Sequence, residues 1–72
     1  MVIEFIKYFS DTMIGKNQEW TPIELETALF KEGYQVVFCV PHALGCKFRV
    51  HLGNQKFIEG ILTFAGEIIY KN

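Results

Sequence analysis

Cysteine and proline are scarce in this chain, with two residues each. Two thiols cannot build the multi-bridge framework that holds small secreted scaffolds together. Charge is also sparse and nearly balanced. Seven basic and eight acidic residues leave a net charge of −1. Bulk-charge binding to duplex nucleic acid needs a basic surface, so the balance argues against it. No apolar run approaches the roughly eighteen residues of a membrane-spanning helix. The start of the chain, Met1-Val2-Ile3-Glu4-Phe5-Ile6-Lys7, has neither the basic segment nor the cleavage site of a secretory signal. These absences set three expectations: a cytoplasmic protein, no membrane association, and free thiols.

Apolar side chains are abundant. Hydrophobic residues make up 50% of the 72 positions, with seven Phe, three Tyr and one Trp. Counted with Gly and without Tyr, the apolar share is about 54%, above the usual 45–50%. A chain this short forms one domain, residues 1–72, and buries a low fraction of its surface. Such an excess either fills the core or stays exposed as an interface.

Val2, Phe5, Ile6, Phe9 and Met13 recur at helical spacing, with Glu4, Lys7 and Asp11 opposite. A helix over about 2–14, ended by Gly15, follows from that pattern. The β-branched and aromatic content keeps a strand open as the alternative. Lys16 to Trp20 reads as a polar connection. Thr21, Pro22 and Glu24 spell a capping box with proline at the first helical position, predicting a helix over about 22–32 closed by Gly33. Ile23, Thr27 and Phe30 form one stripe on it, and Leu25 and Leu29 another. From Tyr34 onward the chain reads as extended. Strands are expected at about 35–40, 46–52, 57–64 and 67–71, with turns at Pro41–Gly45, Gly53-Asn54 and Ala65-Gly66. In the second strand Cys46, Phe48, Val50 and Leu52 alternate inward against Lys47, Arg49 and His51 outward. A helix over about 57–65 competes with the third strand, weakened by Gly60. The fold expected is α+β: two short helices packed on a three- to four-stranded antiparallel meander.

Two constellations could carry chemistry. Cys39, His42, Cys46 and His51 are the residue types of a tetrahedral zinc site, but their spacing matches no metal signature, and alternation separates Cys46 from His51. Two small buried thiols and two surface histidines are the simpler account of them. A thiolate activated by His42 lacks any group to orient the base. No phosphate-binding glycine loop, nucleophile elbow or HExxH is present. The second constellation is the outward stripe Lys47, Arg49 and His51. It suits carboxylates of a protein partner or phosphates of RNA, or it is simply a solvated strand face.

The sequence thus points to a non-catalytic interaction module, without cofactor, that covers a surface on a larger protein or on its own copy. Its expected contact residues are Lys47, Arg49, His51, Phe5 and Phe9. RNA or single-strand binding through the basic stripe is the second reading. A zinc-stabilised domain is the third.

Overall fold

The Thr21 capping box forms as its residues dictate. Thr21 Oγ1 accepts from the Glu24 N–H at 3.3 Å, and Glu24 Oε1 accepts from the Thr21 N–H at 3.2 Å. Such a cap contributes about 1 kcal/mol. The computed structural model describes residues 1–70. Its elements are α1 (Val2–Gly15), α2 (Pro22–Lys31), β1 (Gln35–His42), β2 (Gly45–Gly53), β3 (Lys56–Thr63) and β4 (Ile68–Tyr70). The strands form one antiparallel sheet in the order β1-β2-β3-β4, so the domain is an α+β meander beneath two helices. The first segment is a helix and the third sheet segment a strand. Position 71, placed in the last strand from sequence, lies outside the described residues. None of the helices described is long and apolar enough to cross a membrane.

The helices form one layer. α2 packs mainly on β1, at one edge of the sheet. α1 runs along β3: Val2 and Ile3 lie near Leu52 and Ile58, and Ser10 and Ile14 lie against Gly66 in the β3–β4 turn. Lys7 Nζ donates to the Gly66 carbonyl, tying the first helix to the last turn. Val2, Ile6 and Phe9 of α1 and Leu25 and Leu29 of α2 meet Cys46, Phe48, Val50 and Leu62 of the central strands.

α1 ends at Gly15 as expected, and the left-handed residue of the turn that follows is Asn17, with φ 53°. Three local expectations need correction. The connection 16–20 is not wholly polar in role, because Trp20 is buried between Phe9 and Phe64. Its ring lies 5.8 Å from Phe9 and 5.4 Å from Phe64, centroid to centroid, which also draws Phe64 out of the strand and into the turn. The first sheet turn is tighter than Pro41–Gly45. β1 continues through Pro41 and His42, leaving only Ala43 and Leu44 between strands. Finally, Leu52 is exposed rather than inward. The register shifts between His51 and Gly53, and that irregularity breaks the alternation. Beyond it Asn54 and Gln55 both have positive φ, the backbone a two-residue hairpin turn demands.

Candidate binding face of the sheet

Alternation along β2 sends Cys46, Phe48 and Val50 toward the helices and leaves Lys47, Arg49 and His51 on the opposite face. Both helices pack on the first face, so the second is bare among the described residues. Register decides which neighbours complete it. Arg49 stands between Phe38 of β1 and Glu59 of β3, Lys47 between Val40 and Ile61, and His51 between Gln35 and Phe57. Ile69 of β4 follows beside Ile61.

These side chains form one connected group. Arg49 Nε lies 3.7 Å from Glu59 Oε1, and the guanidinium carbon sits 4.4 Å from the Phe57 ring centroid. An arginine over an aromatic face gains roughly 0.5–1 kcal/mol where solvent reaches it. His51 meets the same ring edge-on at 4.9 Å. Its Nδ1 accepts from the Gly53 N–H at 3.1 Å, so in the neutral imidazole Nε2 carries the proton. His42 does the same at the other turn, accepting from the Leu44 N–H at 3.0 Å. Each histidine thus fastens a strand end.

Charge is biased between the layers: six acidic and three basic residues precede the sheet, whereas on the bare face Lys47 and Arg49 stand against Glu59 alone. The bare face is therefore mildly basic on a nearly neutral molecule. Around the Arg49–Glu59 pair it presents Phe38, Val40, Phe57, Ile61 and Ile69, an aromatic and aliphatic surround to one charge pair. Sequence reasoning found the basic stripe and missed Phe38, Phe57 and Glu59. The irregularity at Leu52 shifts the β2–β3 register by one residue, which counting across a two-residue turn does not anticipate.

The two α1 residues expected at a contact surface part company. Phe9, only 7% exposed, packs edge-on to Trp20 and belongs to the core. Phe5 is half-buried and lies against Tyr34 at 6.0 Å and Tyr8 at 6.5 Å.

The Cys/His set does not assemble. Cys39 and Cys46 occupy the helix side of the sheet, and His42 and His51 the bare side. Among the described residues no three His, Cys, Asp or Glu side chains stand close enough to hold a metal ion. Cys46 Sγ instead donates to the Lys47 carbonyl at 3.6 Å. Interaction with Cys46, then burial and the nearby Cys46 and Glu26 charges, push the Cys39 thiol far above its ordinary range. The interaction with Cys39 moves Cys46 downward. Raised and lowered thiols act with opposite sign on stability as pH rises through the thiol range, so the two shifts of this pair oppose each other.

No protein-family model, curated protein or solved structure matches the chain.

Proposed function

We propose that this domain is a non-catalytic protein-binding module whose contact surface is the bare face of the sheet. One observation carries the reading: Phe38, Val40, Phe57, Ile61 and Ile69 surround a single internally paired arginine on a face without a covering layer among the described residues. Aromatic and arginine side chains are the residue types that dominate protein interfaces, and charges at an interface centre are tolerated when paired. The face also suits a slightly acidic partner, because Lys47 adds a second positive charge beside the Arg49–Glu59 pair. No group on it is arranged as nucleophile, base and orienting partner, so binding is the chemistry it supports.

The test is affinity capture from the native host with wild-type protein and with Phe57→Ala and Arg49→Glu in parallel. Loss of an interface anchor of about 2 kcal/mol weakens binding about 30-fold. A protein partner held by the wild type and lost from both variants is expected. The same partner retained by both would sink the reading. A titration with single-stranded RNA at two salt concentrations separates the nucleic-acid alternative. Steeply salt-dependent binding that Lys47→Glu abolishes would favour RNA instead.

A further inference from the structure

The edge of the sheet at β1 is open, and so is the helix layer directly above it. β1 ends the strand order, and Gln35–His42 contains no charged residue. Natural edges are blunted with charges, prolines or bulges, or kept very short; β1 has the irregularity between Val36 and Phe38 and Pro41 near its end, but no charge. The opposite edge, β4, is only three residues long. β1 is eight residues long and carries Val36, Val37, Phe38, Cys39 and Val40 in succession. Val37, at the register shift between Val36 and Phe38, is 51% exposed. Above this edge α2 turns Leu25 and Leu29 into the core and leaves Ile23 and Phe30 outside, 72% and 77% exposed. A groove of about 440 Å³ runs along the seam between the layers, lined by Thr27, Phe30, Tyr34 and Val36 among others.

We infer that this edge pairs with the same edge of a second copy of the chain, joining β1 to β1 antiparallel and α2 to α2 across a two-fold axis. Two features of the edge select a second copy over another partner. Antiparallel pairing of one strand with itself is isologous, so the edge is its own complement. The α2 flank is self-complementary in the same sense. Ile23 and Phe30 lie two helical turns apart, so an antiparallel copy sets each Ile23 against the partner's Phe30. β1 carries no charged residue, so the strand contact brings no like charges together. Glu26 is the charge on the seam, and two-fold pairing places both copies of it there, a repulsion that the apolar contacts of Ile23 and Phe30 have to outweigh. Pro41 has no N–H to donate, which limits the pairing to the strand before it, and a two-fold contact uses this edge in both copies, so the assembly closes as a dimer.

The surface area is consistent with a missing partner. The chain exposes 4903 Å², against about 4,600 Å² for a folded monomer of its mass. A strand edge of about 20 Å under one short helix gives an interface at the smaller end of specific ones, so the dimer depends on concentration. The inference stands apart from the reading of the sheet face, which remains open in such a dimer.

Sedimentation or light scattering of the purified chain at concentrations up to roughly 1 mM, where even millimolar association registers, tests it. The wild type is expected at twice its 8.3 kDa mass at the upper concentrations. Val37→Lys and Phe30→Glu are each expected to return it to 8.3 kDa with an unchanged circular dichroism spectrum, since both side chains are largely exposed. Arg49→Glu, on the bare face, should leave the dimer in place. A wild type monomeric throughout the range overturns the inference. So does a dimer that survives both edge variants, or one that Arg49→Glu dissolves while they do not. Should Val37→Lys fail to fold, Phe30→Glu on the solvent side of α2 decides alone.

Discussion

Phe48→Ala is expected to lower stability by about 3–5 kcal/mol, the range for emptying a buried aromatic site. That is a large share of the 5–15 kcal/mol typical of a whole domain. Phe48 is fully buried at the middle of β2, faces both helices, and has Gly60 as its β3 neighbour. A Cβ built on Gly60 would lie 3.4 Å from Phe48 Cζ, so the ring already occupies the space a side chain there would fill. Neither the glycine nor the strand can move in to close the void. Urea denaturation followed by far-UV circular dichroism measures the loss. A change below about 1 kcal/mol would mean that the sheet and helices meet around something other than this ring.

Gly45→Ala should be comparably damaging for the opposite reason. Gly45 pairs with His42 on one side and Thr63 on the other. A Cβ there would stand 2.1 Å from the Leu62 carbonyl oxygen and 2.9 Å from the Thr63 Cα. Both atoms are backbone, so no rotamer change relieves the overlap. The β2–β3 ladder has to separate at this end. Overpacking costs about 1–3 kcal/mol where side chains can yield and more where they cannot. The midpoint of thermal unfolding is expected to drop by about 15 °C or more. A variant melting within a few degrees of wild type would show that the strands spread without loss.

Much of the fold was legible because its signals are local. The capping box depends on three residues in a row of four and names the start of α2 without reference to the rest of the chain. The alternation from Cys46 to His51 gave the two faces of β2 in the same way. What stayed hidden depends on register or on distant packing. The irregularity at Leu52 is set by how β2 and β3 close their turn, and it determines that Phe57 and Glu59, rather than their neighbours, flank the basic stripe. Trp20 looked like part of a polar connection because the residues before it are polar. Its burial comes from Phe9 and Phe64, eleven and forty-four positions away. Phe9 looked available for a partner because helical periodicity tells which residues share a stripe, not whether the stripe is already covered. The apolar excess was visible in composition, but only the placement of β1 at an edge beneath the bare flank of α2 gives part of it a location.

The stack of Phe9, Trp20 and Phe64 also gives the molecule a built-in optical probe. Trp20 is the single indole in the chain. The capped helix and each hairpin can form from neighbouring residues without altering its surroundings. Its ring becomes enclosed only when the N-terminal helix and the last turn arrive on either side of it. Tryptophan emission should therefore follow the final closure of the chain in a refolding trace, while far-UV ellipticity follows the earlier local events.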